Sequence, residues 1–413
     1  MLYIMTRLGK IHPYPAMIAD HLAANIAAKY VSNNSRVLDP FCGTGRTLLA
    51  AAERGAYCVG VDINPLASLI VNAKASNINM DKLENISKNY HKISLSTASI
   101  ADFDFEPNRK VSWFPYRAKK ELAALIVWLN NSQLKNPEAF LIASILSATV
   151  REVSYCRKDQ WKLHRMTHAV RAKFYRSPIS IFKGRLKSVC DELRQSSPLK
   201  GVCHTILGDA KNLSSLLKNH NELSKFDLVI TSPPYGDSKS TVQYGAMSGL
   251  SLGVLRYLKS NSFPEINGSK IDQACLGDKP LKNATDNLNI KKYWNGSIGN
   301  PSFNRVSSFL LGLESCCNQI CKVTKPSGHI IFVVARRSTG GWRLYIDNFI
   351  ADILQENNFI LEDKIERMID KKMTPFLINK TGRNGSKASD RIHTMRSEYL
   401  LVFKGKANNV NTG

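Results

Sequence analysis

Short runs of contiguous apolar residues, each closed by a polar or glycine-rich turn, alternate along this chain with longer stretches whose apolar positions recur every three or four residues. The first pattern marks strands buried on both faces, the second amphipathic helices. Met17 to Tyr30 reads as a helix with Ile18, Leu22 and Ile26 on one face, suited to packing on a sheet. A strand Arg36-Val37-Leu38-Asp39, a helix carrying Leu48, Leu49 and Ala52, a strand from Ala56 to Val61 and a second helix to about residue 75 follow. The strand pattern resumes at Thr205-Ile206-Leu207 and Phe226-Asp227-Leu228-Val229-Ile230, then at His329 to Ala335, Phe359 to Met368 and Glu398 to Lys404, with a helix over 343–357. Strands alternating with helices predict an α/β fold.

Two interruptions divide that pattern, and the chain is read as a core in three pieces, 1–80, 201–235 and 306–405, with a helical basic insertion at 81–200, a second insertion at 236–305 and a polar tail at 406–413. Glu121 to Leu129 and Phe140 to Val150 are the apolar stretches of the first insertion.

Chemistry enters at two strand ends. Asp39-Pro40-Phe41-Cys42-Gly43-Thr44-Gly45 links the first strand to its helix, where glycines let a ligand approach the backbone. The next strand ends in Asp62, 17 residues after Gly45, where a Rossmann-type unit places the carboxylate that holds ribose hydroxyls. A nucleoside-containing cofactor is implied. A dinucleotide is disfavoured, because Leu48 stands where the third glycine of Gly-x-Gly-x-x-Gly belongs, and the chain has no Gly-Lys-Ser/Thr phosphate loop. Taken alone, Gly-x-Gly is also what an ordinary tight strand-to-helix turn looks like.

The second site is Thr231-Ser232-Pro233-Pro234-Tyr235, at the carboxyl end of another buried strand and therefore on the ligand-binding edge of the sheet. An exocyclic amine on cytosine or adenine is a poor nucleophile, because its lone pair is delocalised into the ring. The Ser232 hydroxyl and a backbone carbonyl held rigid by Pro233 and Pro234 are suited to accept its two N–H bonds and to favour the pyramidal, nucleophilic geometry. Tyr235 offers a flat face for an extruded base.

Asp-Pro-Phe-Cys-Gly-Thr-Gly resembles the S-adenosylmethionine loop of amino-methylating nucleic acid methyltransferases, and Ser-Pro-Pro-Tyr resembles the cytosine-N4 branch of bacterial DNA amino-methyltransferases. Further matches are His12-Pro13-Tyr14-Pro15-Ala16, similar to the segment that contacts the cofactor ahead of the first strand, and Gly236-Asp237-Ser238 running into Thr241-Val242-Gln243-Tyr244-Gly245. Lys325-Pro326-Ser327-Gly328 is similar to the turn into the fifth strand. The resemblance runs from about residue 10 to 404 and implies a Rossmann-like fold with a seven-stranded mixed sheet, its last strand antiparallel. It also implies that Phe41, Gly43 and Gly45 wrap the methionine part of S-adenosylmethionine, with Tyr14, Pro15 and Asp39 beside them. Asp62 then holds the ribose, and Asp209 faces the adenine amino group; Asp209 reads equally as a helix N-cap. Ser232, Pro233, Pro234 and Tyr235 become the catalytic set.

The formal charge of +24, from 57 Lys and Arg against 33 Asp and Glu, favours a polyanionic partner. With the two motifs, that partner is double-stranded DNA. Nine scattered cysteines without a Cys-x-x-Cys pair read as reduced, mostly buried thiols, with no metal site. No apolar run reaches membrane-spanning length and no signal-peptide core is visible, so a cytoplasmic protein is expected. Carbon-5 methylation is disfavoured because the chain lacks the Pro-Cys nucleophile of that chemistry; Cys42 reads as a small packing residue.

Three segments are candidates for DNA contact. The basic aromatic run Arg157, Lys158, Trp161, Lys162, His164, Arg165, Arg171, Lys173, Tyr175, Arg176, Lys183, Arg185 and Lys187 suits backbone grip, although such runs also form plain solvated faces. The second insertion, with Tyr293 and Trp294, suits base reading, and Lys371 to Arg396 is a third basic loop. The sequence is thus read as a site-specific DNA cytosine-N4 methyltransferase, the modification partner of a restriction endonuclease. Adenine-N6 methylation, RNA methylation (disfavoured by the roughly 35 residues ahead of the first strand) and a non-catalytic DNA-binding protein on the same fold are the alternatives. Neither recognition sequence nor oligomeric state is legible.

Overall fold

The computed structural model describes residues 8–406 apart from 10, 16, 97–98, 106–110, 158–162, 237–241, 261–267, 278–287, 297–300, 340–341, 369–376, 380–390 and 394–396. Helix α1 (Asp20–Tyr30) precedes β1 (Arg36–Asp39), α2 (Arg46–Ala52), β2 (Tyr57–Asp62) and α3 (Pro65–Ala75). Helices α4 (Met80–Lys88), α5 (Tyr116–Asn131), α6 (Glu138–Val153), α7 (His168–Lys173) and α8 (Pro178–Gln195) lead to β3 (Val202–Leu207). Helix α9 (Leu213–Asn219) and β4 (Phe226–Thr231) come next, then α10 (Tyr244–Leu255), α11 (Gly268–Ala274), α12 (Leu288–Lys291) and α13 (Pro301–Val323). The chain continues through β5 (Thr324–Val334), the short pair β6 (Arg337–Thr339) and β7 (Trp342–Leu344), and α14 (Ile346–Glu356). It ends with β8 (Phe359–Met368), β9 (Leu377–Asn379), β10 (Arg391–His393) and β11 (Ser397–Gly405).

Seven strands form one sheet in the order β3-β2-β1-β4-β5-β11-β8. Strands β1 to β5 run parallel, while β11 is antiparallel to both neighbours. This is the mixed sheet expected from the sequence. Strand order reverses between β1 and β4, where Val37 pairs with Leu228 and Leu38 with Val229. Connections leave β1 and β4 toward opposite faces there, so a crevice opens at their carboxyl ends.

Alternation along the central strands sends side chains to two apolar layers. Val37, Cys58, Leu228, Ile331 and Val402 meet Leu22 and Ile26 of α1 and Leu48 and Ala51 of α2. Leu38, Val59, Val229, Phe332 and Phe403 meet α13 and α14 on the other face. Local signals set the helix starts. Asn64 caps α3 by accepting the Leu66 N–H with Pro65 in the first turn, and Ser177 does the same for α8 with Pro178.

The two insertions are less separate than the sequence suggests. Helices α4, α5, α6 and α8 share one core with α3, and Leu250, Leu252, Val254, Leu255 and Ile271 of α10 and α11 complete it. Ile290, Tyr293, Trp294 and Phe303 of the second insertion pack on the opposite face, where Trp294 is 1% exposed and stacks on Phe303 with ring centres 5.3 Å apart. Tyr293 packs edge-on to Phe349 and donates its hydroxyl to Asp352 at 2.6 Å. Both aromatics are core residues, which corrects the expectation that they serve groove contacts. The helix expected over 343–357 begins only at Ile346, because residues 342–344 pair with β6 instead.

Candidate active site at the β1 and β4 strand ends

The loop after β1 folds as it does because two of its residues take positive φ, Gly43 at +48° and Gly45 at +74°. A Cβ on Gly45 would lie 2.8 Å from a Val71 methyl, so α3 packs directly on the loop. Asp39 is 2% exposed and serves as the loop's internal anchor. It accepts from Thr47 Oγ1 at 2.5 Å, Thr231 Oγ1 at 2.7 Å and the Phe41 N–H at 3.1 Å. Burial pushes its carboxyl up to about 6 against the pull of those bonds. Thr231 ends β4, so one carboxylate ties the glycine loop to the residue before Ser232.

Asp62 closes β2 with a related arrangement. Its Oδ2 accepts the Gly43 N–H at 2.9 Å and its Oδ1 the Asn64 N–H at 2.8 Å. Burial also raises this carboxyl to about 6, opposed by those backbone bonds. Asn64 is 1% exposed, and its amide donates to Tyr14 Oη at 2.9 Å and Ser248 Oγ at 2.7 Å. The amide thereby joins the segment before α1, the end of β2 and α10. Tyr14 and Tyr244 stack with centres 5.9 Å apart. Lys74, buried in α3 and pushed down to about 8 chiefly by desolvation, donates to the Thr44 carbonyl at 3.2 Å.

These groups surround a cavity of about 930 Å³, its open mouth included. Tyr14, Asp39, Phe41, Gly43, Asp62 and Asp209 line it, and so do Ser232 and Pro234. Asp209 also caps the turn behind it, accepting the Lys211 N–H at 2.9 Å, so both of its sequence readings coexist. Pro15, Gly45, Pro233 and Tyr235 stand behind the wall or outside it. Ser232 Oγ and Tyr235 Oη are 3.0 Å apart, and Tyr235 packs against the apolar layer shared with α13 and α14. The residues fit a nucleoside sulfonium cofactor. A carboxylate whose two backbone bonds leave further lone pairs faces the cavity at Asp62, an apolar wall is offered by Phe41 and Ile63, and Asp209 lies at the β3 end.

Sequence reasoning missed Met17, Asn64 and Tyr244, and also Ile271, Ala274, Cys275 and Leu276, which close the cavity from the second insertion. Asn64 was findable as an Asn-Pro helix start. Tyr244 lies in the segment already matched to the family, Met17 comes from the stretch ahead of α1, and Ile271, Ala274, Cys275 and Leu276 carry no local signal, since packing of α10 on α3 and α6, with α11 against α10, brings them there. In the basic run, Arg176 and Arg185 both pair with Glu152, the latter at 2.7 Å, while His164, Lys173 and Lys187 are exposed. Lys158, Trp161 and Lys162, and most of Lys371 to Arg396, lie outside the described residues. All nine cysteines are free thiols, seven of them buried. No helix among the described residues is long and apolar enough to cross a membrane.

Comparison with known proteins agrees with this geometry. A family of DNA methylases matches residues 6–72, the segment that contains Tyr14, the glycine loop and Asp62. The chain is 28% identical to the Type II methyltransferase M.MvaI of Kocuria varians, across 97% of this chain and 91% of that one. It is 25% identical to the Type II methyltransferase M.BsoBI of Geobacillus stearothermophilus, across 84% and 77%. The seven-stranded mixed sheet, the cavity at the β1 and β4 strand ends and the Ser-Pro-Pro-Tyr loop on the same edge accompany this similarity to DNA methylases and Type II methyltransferases.

Proposed function

We propose that the protein methylates the exocyclic N4 of a cytosine flipped out of double-stranded DNA, as the modification enzyme of a restriction-modification system with a cognate endonuclease. The carrying observation is the join at Asp39, which binds Thr47 in the first turn of the helix after the glycine loop and Thr231 of the strand that presents Ser232. Ser232 and Pro234 lie in the cofactor cavity wall itself, so methyl donor and amine meet at one place. The extended similarity to Type II methyltransferases supports the restriction-modification role.

S-adenosylmethionine supplies a sulfonium methyl. Asp62 holds its ribose, Asp209 its adenine amino group, and Phe41, Gly43 and Tyr14 its methionine part, while Gly45 and Pro15 set the backbone that carries them. The Ser232 hydroxyl and a backbone carbonyl fixed by Pro233 and Pro234 accept the two amine N–H bonds and draw the lone pair out of conjugation. Tyr235 stacks on the base. The amine becomes cationic as it is methylated and then loses its proton to solvent, so no general base is required. Positioning and preorganised acceptors carry the rate. Exposed cations of the first insertion grip phosphates.

Mass spectrometry of nucleosides from plasmid DNA and from RNA, each incubated with the protein and isotopically labelled S-adenosylmethionine, tests this reading. Labelled N4-methylcytosine in DNA is expected. Labelled N6-methyladenine would move the target base, and label confined to RNA would overturn the assignment.

A further inference from the structure

An arginine and a glutamate outside the cavity lie at the level of the Ser232–Tyr235 loop. Register places them: Thr231 is level with Phe332 in β5, Val334 with Tyr399 in β11, and Glu398 with Arg367 in β8. Counting on from Thr231, the row that holds Glu398 and Arg367 is the one Pro234 would reach. At about 4.8 Å per strand, β11 is roughly 10 Å across the sheet edge from β4. Arg367 stands one strand further out on β8, about 14 Å from β4, a span that an extended arginine side chain and a base on Tyr235 bridge together.

The two side chains are poised without satisfying each other. Arg367 Nη1 approaches Glu398 Oε2 at 3.9 Å, within ion-pair range but beyond a hydrogen bond, and Nη1 is buried with no hydrogen-bond partner among the described residues. Both side chains are less than one-fifth exposed. A buried guanidinium donor left unbonded is costly unless something supplies an acceptor. Tyr235 senses both groups: burial raises its phenol most, Glu398 raises it further and Arg367 lowers it. Glu398 is itself raised by burial, eased by Arg367 and by His21 at the start of α1.

Beyond the amine, cytosine presents two acceptors, N3 and O2, whereas adenine presents one acceptor, N1, and a C2–H. A planar guanidinium fork matches the cytosine edge and leaves a donor unpaired against adenine. We propose that Arg367, oriented by Glu398, donates to N3 and O2 of the cytosine stacked on Tyr235 and so selects cytosine over adenine. This rests on the reading of Ser232–Tyr235 as the base-holding loop.

The test begins by mapping the methylated site of the unaltered enzyme. Duplexes carrying cytosine or adenine at the target are then compared for Arg367→Met, Arg367→Lys and Glu398→Gln, with binding of S-adenosylmethionine measured alongside. For Arg367→Met, kcat/KM on cytosine is expected to fall about a hundredfold while that on adenine stays put, because a site built to hydrogen-bond one edge loses its discrimination when the donor goes. Cofactor affinity stays unchanged, Arg367→Lys recovers part of the cytosine rate, and Glu398→Gln gives a smaller loss in the same direction. An Arg367→Met enzyme that keeps its cytosine preference overturns Arg367 as the reader and leaves the cytosine assignment standing. Parallel loss of cofactor binding and thermal stability also overturns it, by making the residue structural. N6-methyladenine as the product of the unaltered enzyme removes the cytosine assignment itself, before any variant is compared.

Discussion

Replacement of Asp39 by alanine isolates the join between the two motifs. The carboxylate accepts from Thr47, Thr231 and the Phe41 N–H, and both threonines are at most 2% exposed. Removing their acceptor strands up to three polar groups, each at about 1–3 kcal/mol. Against that, burial raises the carboxyl from 3.8 to about 6, and a shift of that size corresponds to roughly 3 kcal/mol already spent on keeping it ionised at neutral pH. With about 2 kcal/mol for each stranded group, the balance is a net loss near 3 kcal/mol. Asp39→Asn behaves differently. Its oxygen still accepts from Thr231 and Phe41, its amide faces a Thr47 hydroxyl able to accept, and the cost of the buried charge disappears, so stability should stay within about 1 kcal/mol. Urea unfolding gives both values, and cofactor titration shows whether the loop keeps its shape. Alanine should lower stability and cofactor affinity together, asparagine neither. An alanine variant as stable as the parent, or an asparagine variant as damaged as the alanine one, would refute the bracing role and point to a charge acting on the cofactor directly.

Asp62 sets a pH dependence for cofactor binding: its raised carboxyl ionises near 6, and ribose hydroxyls favour the ionised form, so affinity by calorimetry should be about tenfold weaker at pH 5 than at pH 7.5. A flat profile, or one unchanged in Asp62→Asn, would count against the ribose contact. For the unliganded protein the sign is opposite. Carboxyls raised above their unfolded values bind more protons in the native state, so Asp39 and Asp62 cost stability above about pH 6 and release that cost as pH falls toward 4. Gly43→Val forces a β-branched residue to φ +48°, where the strain is about 1–3 kcal/mol and the branch points at the Tyr14 ring; cofactor binding should be lost, and normal binding would displace the loop from the site. Tyr235→Ala should cut turnover on the order of a hundredfold with cofactor affinity unchanged, as loss of a base-stacking platform predicts; equal loss of both would contradict stacking.

The sequence alone determined the sheet, the glycine loop after β1 and the Ser-Pro-Pro-Tyr loop after β4, for a physical reason. Buried parallel strands read as uninterrupted apolar runs, glycines are needed where φ is positive, and both loops follow directly from the strands that end in them. Asp39, Asp62 and Ser232 are therefore placed at one sheet edge by the sequence pattern itself. Tertiary structure decided what depends on partners distant in the chain. It made Asp39 a brace between residues 47 and 231, turned Asn64 into the junction of three segments, brought α10 and α11 over the cavity and buried Tyr293 and Trp294. It also set Arg367 beside Glu398 at the level of the Ser232–Tyr235 loop. Composition had suggested loop-like groove contacts for the second insertion, because Asn, Ser and Gly dominate its connections. Its aromatics were claimed by the core instead, since burying a large ring yields more than leaving it in solvent, and that preference appears only when the opposing surface is in place.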